Sequence, residues 1–194
     1  KLSQRGSYRV AVPDWGWFNA VWHGGVFQRA HLQRLVTDKV DIVHCTVFPH
    51  QDDPAPVFGY DAIHMSGKNT ALFTDMTPVT DAPYKWWPVP EIEGPRRELP
   101  DWAEFFSDDV IAAVPTDADV WIGATVLRPY LRKLGAQAPE ARDKIVAGQQ
   151  QYIENQRQNP KTRKMLASIL GSDDKAREYI NTVMWPDVKE PDHE

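Results

Sequence analysis

The segment VDIVHCTVFPHQDDPAPVFGYDAIHMSGKNTALFTDMTP, residues 40–78, decides the fold of this chain. Short runs rich in Val, Ile, Phe and Thr, separated by turn residues, predict three consecutive strands within it. We place these strands at about Val40–Phe48, Val57–Met65 and Thr70–Asp75. Residues 66–69, Ser-Gly-Lys-Asn, predict the hairpin connection between the second and third strands. The segment therefore predicts the antiparallel centre of a sheet.

Two ionisable side chains stand in these otherwise apolar strands. His44 lies inside the first strand, and Asp61 lies at the start of the second. Burying an ionisable group is costly unless the group is paired and hydrogen-bonded. If the two strands are antiparallel neighbours, both side chains can face one pocket. We therefore interpret them as either a structural pair or a functional site.

The sequence before this segment predicts two short strands, Tyr8–Val12 and Phe18–Trp22, and a helix from about Val26 to Val36 with apolar residues on one side. The sequence after it predicts a long ordered loop from Pro78 to Pro100, containing Trp86 and Trp87, over one face of the sheet. Four helices are expected around Ala118–Leu134, Pro139–Gln158, Lys161–Leu170 and Asp173–Met184, and Pro129 should kink or interrupt the first. Central antiparallel strands with helices before and after predict an α+β fold whose helices cover both faces of the sheet.

Composition favours a single domain spanning residues 1–194, because 42% of the residues are apolar and 25% are charged. No apolar run approaches the roughly eighteen residues of a membrane span, and the N-terminus lacks a signal-peptide pattern, so we expect a cytoplasmic protein. The chain starts at Lys1, and we expect that a preceding piece has been trimmed. Because Cys45 is the single cysteine, the chain can form neither an internal disulfide nor a metal centre built on several thiolates. The electrons for any redox reaction must therefore come from another molecule.

The net charge of −5 disfavours nucleic acid as a partner, because phosphate contacts need a basic face. Clusters of cations nevertheless occur at Arg29 and Arg34, and at Lys161, Arg163 and Lys164. A small acidic electron carrier could dock on such a basic patch by electrostatic steering. Two solvated helix faces would produce the same pattern.

Sequence blocks in the correct order between Gly25 and Trp185 resemble the ferredoxin-dependent bilin reductases, and most closely their phycocyanobilin:ferredoxin oxidoreductase branch. The central blocks are V-H-C-x-x-F-P, P-x-F-G-x-D and T-D-x-[ST]-P, all within residues 40–78. The outer blocks are Phe27–Gln33, Arg97–Trp102, Asn159–Arg163 and a closing helix at Ala176–Trp185. The resemblance implies a three-layer α/β/α sandwich with a central antiparallel sheet, which holds a tetrapyrrole between the sheet and the C-terminal helices.

The resemblance also implies the reaction. Its members reduce biliverdin IXα with single electrons from an external [2Fe-2S] ferredoxin, and we expect the same of this chain, as a monomer with no metal and no bound cofactor. Each electron added to the substrate then has to be balanced by a proton from the protein. Such a site needs cationic partners for the two propionates, well-placed proton donors and apolar walls.

Asp61 matches the aspartate of the F-G-x-D motif, which contacts the pyrrole nitrogens and the lactam side of the bilin. A carboxyl group in an apolar pocket can carry a proton near neutral pH and release it as the substrate gains negative charge. His44 matches the strand histidine of the family, which can donate to a lactam carbonyl or shuttle a proton. We expect these two residues to be catalytic and interpret Asp75, in the T-D-x-[ST]-P block, as structural.

His31 matches a family histidine that helps order the site. Two residues further on, the phycocyanobilin branch has a glutamate that protonates the D-ring vinyl group, whereas this chain has Gln33. Because an amide cannot act as an acid, we expect the product to keep the vinyl group and to be phycoerythrobilin, with phycocyanobilin as the alternative. Pro160 replaces the second acid of phycoerythrobilin-forming relatives, which leaves Asp173 or a water molecule for that role.

The remaining matches concern substrate binding. On the resemblance, Arg97 and Lys161 match the propionate partners of the family. Arginine can bind a carboxylate with two parallel hydrogen bonds, and lysine adds a mobile charge. Asn159 is expected on the side of the substrate opposite Asp61. Thr70 and Met165 match positions in the pocket wall.

Two other functions stay open at the level of the sequence. One is a bilin- or haem-binding module without turnover, in which His31 or His44 could be an axial ligand. The other is a small interaction protein whose tryptophans anchor an interface. These tryptophans are Trp15, Trp17, Trp22, Trp86 and Trp87.

Overall fold

The computed structural model describes residues 6–81, 90–135, 138 and 141–188. In this part of the chain, seven strands form one antiparallel sheet in which every strand pairs with its neighbours in sequence. The strands are β1 (Tyr8–Val10), β2 (Phe18–Gly24), β3 (Phe27–Val36), β4 (Val40–Pro49), β5 (Val57–Met65), β6 (Lys68–Thr77) and β7 (Ile111–Ala113). The helices are α1 (Ile122–Lys133), α2 (Arg142–Arg157), α3 (Pro160–Leu170) and α4 (Asp173–Tyr179), and a π-helical turn at Ile180–Met184 continues α4.

The sheet lies between two layers of helices, which confirms the predicted α+β class and the α/β/α sandwich. One apolar cluster joins α1 to the first face of the sheet and includes Phe58, Leu72, Val126 and Tyr130. A second cluster joins α2, α3 and α4 to the opposite face and includes Phe48, Val57, Ile145, Leu166 and Tyr179. Burial of these two clusters holds the layers together.

The face under α2, α3 and α4 also carries many buried polar side chains, and we call it the site face. Alternate residues of a strand point to the same face, so these side chains share the direction of Phe48 and Val57. They are Asn19, Arg29, His31, Gln33, His44, Thr46, Asp75 and Thr77. Because buried polar groups need partners, this face is where the sequence departs most from an ordinary core.

β3 is a strand, so the helix predicted for this segment is wrong. Its buried residues alternate and include Arg29, His31 and Gln33. Because the inward residues are polar, the apolar residues alone do not reveal the two-residue period of a strand. Gly24, the last residue of β2, and Gly25, in the turn that joins β2 to β3, have φ angles of 86° and 69°.

The other connections differ less from expectation. Ser66 and Gly67, with φ angles of 51° and 79°, form the predicted hairpin between β5 and β6. Pro129 was predicted to kink or interrupt its helix, and the interruption is wrong, because α1 continues through Pro129 to Lys133 while Tyr130 is buried against the sheet. Of the predicted loop at residues 78–100, positions 82–89, with both tryptophans, lie outside the described residues.

Candidate functional site

One row of side chains crosses the middle of the site face. In the antiparallel register, Gln33 pairs with His44 and His44 pairs with Asp61, so three neighbouring strands present these side chains side by side. Asn19 of β2 pairs with Gln33 and extends the row. Directly opposed side chains start about 5 Å apart at their Cβ atoms. The sheet therefore brings together three residues that the sequence assigns to the site.

His44 and Asp61 form a hydrogen-bonded pair whose members differ in exposure. Nδ1 of His44 lies 2.8 Å from Oδ1 of Asp61. The imidazole is 2% exposed, whereas the side chain of Asp61 is 39% exposed. A buried imidazole in this position can orient the carboxyl group and exchange a proton with it, while the carboxyl group meets a molecule above the sheet.

His31 lies in the adjacent row of the site face, and its ring centroid is 5.5 Å from that of His44. Its Nε2 lies 3.1 Å from Oδ1 of Asn19, and its buried Nδ1 has no hydrogen-bond partner. Because an amide oxygen only accepts, Nε2 carries the proton. Burial, followed by the charges of His44 and Arg29, lowers the pKa of His31 well below its usual range. The ring is therefore neutral near pH 7.

The free energy of unfolding should depend on His31 as the pH falls. A histidine whose pKa is lowered in the folded state takes up its proton more readily in the unfolded chain, so its stabilising effect is complete above about pH 6.5 and is lost as the pH drops below that value. One such group changes the stability by about 1.4 kcal/mol per pH unit. In urea titrations between about pH 7.5 and 5, the wild type should lose stability more steeply than His31→Gln. Equal slopes would contradict a neutral, buried His31.

Gln33 is bound by the hydroxyl group of Tyr179. The hydroxyl oxygen lies 2.6 Å from Oε1 of Gln33 and 2.6 Å from Oδ1 of Asn19, and its single proton can be donated to only one of them at a time. The hydroxyl oxygen also accepts a hydrogen bond from Nε1 of Trp17 at 3.2 Å. Burial raises the pKa of Tyr179, so the hydroxyl keeps its proton. The sequence analysis missed Asn19 and Tyr179. Asn19 could have been recognised from the sequence, because it is a polar residue inside the otherwise largely apolar strand β2.

Trp185 covers the site face over His44. Its ring meets the imidazole edge to face with a centroid separation of 5.2 Å. Arg157 binds the Trp185 carbonyl oxygen through Nη2 and Nε, at 2.6 and 3.0 Å. Arg29 donates to the carbonyl oxygens of Val183 and Met184. The two arginines hold the turn that carries Trp185, and Arg29 is buried, so it does not belong to the predicted basic surface patch.

Arg97 and Thr70, two of the predicted substrate-binding residues, meet near the edge of the sheet. Nη1 of Arg97 donates to the Thr70 carbonyl oxygen at 3.1 Å. The Thr70 hydroxyl donates to the carbonyl oxygen of Ile63, also at 3.1 Å. Arg97 is exposed and retains unused donors, which suit an anionic group. Neither of these hydrogen bonds involves the His44–Asp61 pair.

Three further predicted residues lie at the start of α3 or on it. Asn159 is the N-cap, and its Oδ1 accepts hydrogen bonds from the N–H groups of Lys161 and Thr162 at 3.0 and 3.3 Å. The cap occupies this oxygen and does not involve the Nδ2 group. Lys161 is exposed, and Met165 packs against the cluster between α2–α4 and the sheet.

Two other aspartates, Asp173 and Asp75, are held by hydrogen bonds from neighbouring side chains. Arg163 binds both oxygens of Asp173 at 2.7 and 2.5 Å, and these hydrogen bonds lower the pKa of Asp173, which makes it a poor acid. Asp75 is buried, accepts hydrogen bonds from Thr77 and Ser107, and has a pKa that burial raises. These contacts match the structural interpretation of Asp75 and disfavour Asp173 as a second proton source.

The described residues contain no cluster of three or more His, Cys, Asp or Glu side chains able to hold a metal ion. Cys45 points away from the site face and packs against the α1 cluster, and burial raises its pKa to about 12. The thiol is thus unreactive at neutral pH. None of the helices described is both long and apolar enough to span a membrane.

A cavity of about 820 Å³ opens on the site face toward the β2–β3 turn. Its lining includes Val21, Arg29, Phe48 and Val183. It begins at Arg29, four residues along β3 from Gln33, and does not include the row of Gln33, His44 and Asp61. We place the chemistry at that row, because the row carries the paired acid–base groups and the cavity's buried cation is already bound to helix-end carbonyls.

Comparison with known proteins agrees with this geometry. The profile of the family described as ferredoxin-dependent bilin reductase matches residues 14–186. The phycocyanobilin:ferredoxin oxidoreductase of Gloeobacter violaceus is 31% identical over 186 residues, which cover 86% of this chain and 72% of that protein. The enzyme of the same name from Trichodesmium erythraeum is 29% identical over 185 residues, which cover 86% and 75%.

Two solved structures share the fold. The structure of PcyX superimposes with a TM-score of 0.66 at 20% identity, over 94% of this chain and 91% of that one. Phytochromobilin synthase from tomato, in complex with biliverdin, superimposes with a TM-score of 0.64 at 13% identity, over 84% of this chain and 66% of that one. The α/β/α arrangement described above is therefore the arrangement of known proteins.

Proposed function

The chain belongs to the ferredoxin-dependent bilin reductases, and from this premise we propose that it reduces biliverdin IXα to a phycobilin with electrons from reduced ferredoxin. The observation that carries the proposal is the His44–Asp61 pair, a 2.8 Å hydrogen bond between a buried imidazole and a partly exposed carboxyl group. The pair stands at the centre of the face that the C-terminal helices cover. A tetrapyrrole between the sheet and those helices would rest against it.

The pair suits a reaction in which electrons and protons arrive one at a time. Each electron from ferredoxin adds a negative charge to the tetrapyrrole, and the proton that balances it comes from Asp61. His44 holds the carboxyl group by its Nδ1 and can return a proton to it. Trp185 over His44 keeps water from the imidazole. The chain thus supplies proton donors and walls, while the electrons come from the partner.

The docking of the acidic ferredoxin is proposed on α3. Lys161 and Lys164 are exposed there, and Arg163 beside them is already paired with Asp173. Cations of this kind raise the rate of encounter with an acidic partner. Arg97 and Lys161 are the proposed partners of the substrate's propionates.

We further propose that the product is phycoerythrobilin. The curated relatives reported above carry the name of phycocyanobilin-forming enzymes. This chain, however, has an amide at position 33, in direct register with His44. An amide has no proton to give, so the step that needs a carboxyl group there is missing and the D-ring vinyl group is retained. Phycocyanobilin is the alternative product if another acid serves that step.

A spectroscopic titration tests the proposed reaction. Biliverdin is added to the protein without oxygen, and reduced ferredoxin is added afterwards. The proposal predicts a shift of the bilin absorption on binding and its conversion after ferredoxin is added. A shift without conversion would indicate a binding module, and no shift would indicate a protein that does not use bilins. Either result contradicts the proposal.

The variant Gln33→Glu tests the product assignment. Glutamate has nearly the volume of glutamine, and a carboxyl group buried beside the Tyr179 hydroxyl holds its proton and can act as an acid. We expect at least part of the product to shift to vinyl-reduced bilins, as measured by chromatography. The matched control is Gln149→Glu on α2, a buried amide that binds the Pro49 carbonyl oxygen away from the row, which should leave the product unchanged. Phycocyanobilin from the wild type would contradict the assignment.

A further inference from the structure

The cavity of about 820 Å³ on the site face is lined by two arginines, Arg29 of β3 and Arg142 of α2. Its volume lies within the range of small-molecule sites in proteins. Its apolar walls include Val21 of β2, Phe48 of β4 and Ile153 of α2. The proposed reaction does not use this space, because its proton donors lie outside the cavity.

Arg29 is a buried cation that no carboxylate of the described residues neutralises. It is 8% exposed, and none of the ion pairs within the described part of the chain includes it. Its guanidinium group donates to the carbonyl oxygens of Val183 and Met184, which are neutral and leave its charge uncompensated. Burial lowers the pKa of Arg29 to about 10, so the group stays charged at neutral pH. A buried charge in this condition costs free energy unless an opposite charge comes near.

Arg142, in the helix layer above the sheet, also forms no ion pair with a described residue. Its Nη2 donates to Oε1 of Gln51 at 2.9 Å, which is a neutral amide. Two carboxylates line the cavity as well, Asp52 and Asp187. Asp187 is paired with Arg157 at 2.8 Å, and Asp52 pairs with neither arginine of the cavity. These two arginines therefore outnumber the remaining carboxylate, and the lining is cationic.

A β-bulge directs Arg29 into the cavity. The register of β3 with both neighbouring strands shifts between Phe27 and Arg29, so Gln28 is an extra residue. In a regular strand, residues two apart point to the same face, yet Phe27 packs in the α1 cluster while Arg29 lies on the site face. Bulges re-aim side chains and are frequent beside functional sites. The bulge thus places a cation here and sends its apolar neighbour to the opposite core.

We propose that the cavity is a second ligand site, in which Arg29 and Arg142 bind the carboxylate of a molecule with an apolar body. Arginine binds carboxylates through parallel N–H groups, and the apolar walls accept the body. Two sources supply this chemistry: a separate small carboxylate, or a propionate arm of a bilin that lies over the His44–Asp61 pair. The first source is independent of the proposed function, and the second rests on it.

Titration with 3-phenylpropionate tests the site, and 3-phenylpropionamide is the neutral probe of the same shape. Calorimetry of the wild-type protein should show saturable binding of the acid and at least about tenfold weaker binding of the amide, because hydrogen bonds to charged groups are the stronger ones. Arg142→Gln should weaken binding of the acid by a similar factor, and Arg142→Lys by less, since lysine keeps the charge. Arg142 is partly exposed and has a neutral partner, so both variants should fold.

Arg128→Gln is the matched control, because Arg128 is an exposed arginine of α1, on the other side of the sheet. It removes the same charge and should leave the affinity for 3-phenylpropionate unchanged. The site is wrong if the acid does not bind saturably, if acid and amide bind equally, or if Arg142→Gln weakens binding no more than Arg128→Gln does.

Biliverdin and its dimethyl ester, whose propionates carry no charge, distinguish the two sources. If the carboxylate is a separate molecule, biliverdin and 3-phenylpropionate bind together, and Arg142→Gln changes the affinities for biliverdin and for the ester by the same factor. If it is the propionate of the substrate, the two ligands compete, and Arg142→Gln weakens binding of biliverdin but not of the ester; Arg97 and Lys161 then lose their proposed role. A wild type that binds 3-phenylpropionate but neither binds nor reduces biliverdin would contradict the proposed function and leave the site standing.

Discussion

Asp61→Asn is expected to bind biliverdin normally and to stop its reduction after the first electron. Asparagine keeps the size of the side chain and a hydrogen bond to Nδ1 of His44, but it has no proton to donate. Loss of a general acid costs about 100- to 10,000-fold in rate, and we expect the upper end because the pair is the proton source next to the substrate. Electron paramagnetic resonance should show a bilin radical that accumulates after reduced ferredoxin is added.

Asp41→Asn is the control for this variant. Asp41 lies on β4, three residues before His44, and forms an exposed ion pair with Arg34 at 2.9 Å. An exposed pair of this kind contributes about 0 to 1 kcal/mol to stability, so the control should fold and turn over like the wild type. Wild-type rates in Asp61→Asn would remove Asp61 from the mechanism.

His44→Gln is expected to reduce turnover about 100-fold or more while substrate binding is largely kept. Glutamine can still form a hydrogen bond to Asp61, but it cannot take up and release a proton. The imidazole is 2% exposed and contacts Trp185, so some stability should be lost as well. Turnover therefore has to be compared per folded molecule, by active-site titration with biliverdin.

The exposed His64 of β5, with Nδ1 3.0 Å from Oδ1 of Asn69, provides the control His64→Gln, which should keep wild-type turnover. A purely structural His44 would give a different pattern. In that case His44→Gln would melt at a lower temperature, and its activity per folded molecule would equal that of the wild type.

The central strands were predictable from the sequence because their apolar residues and turn residues agree. β4, β5 and the Ser66–Gly67 turn lie where the pattern places them, and the register that follows puts His44 opposite Asp61. The pairing of these two side chains is thus a direct consequence of strand lengths and one connection.

β3 was not predictable from apolar periodicity, because its buried side carries Arg29, His31 and Gln33. These side chains are stable in the core only because residues distant in sequence bind them: the carbonyls after α4 bind Arg29, and Tyr179 binds Gln33. A single sequence does not contain that information. The Gly24–Gly25 pair before β3 was the local sign of a hairpin.

The position of Trp185 over His44 was also not predictable from the sequence. Trp185 contacts His44 because Arg157 and Arg29 bind the carbonyl oxygens around it, and these contacts connect α2 and β3 to the turn after α4.

The structural role of Asn159 was likewise not predicted from the sequence. The motif assigns it to the substrate, whereas the fold also uses its side-chain oxygen to begin α3.

Chromatography of the bilin formed in a complete oxygen-free turnover tests the central claim most directly. Wild-type protein, biliverdin IXα and reduced ferredoxin are combined, and the extracted product is compared with authentic bilins. The account predicts phycoerythrobilin, formed with protons from the His44–Asp61 pair and with the vinyl group spared because position 33 is an amide. Recovery of unchanged biliverdin would contradict the reductase function, and recovery of phycocyanobilin would contradict the role given to Gln33.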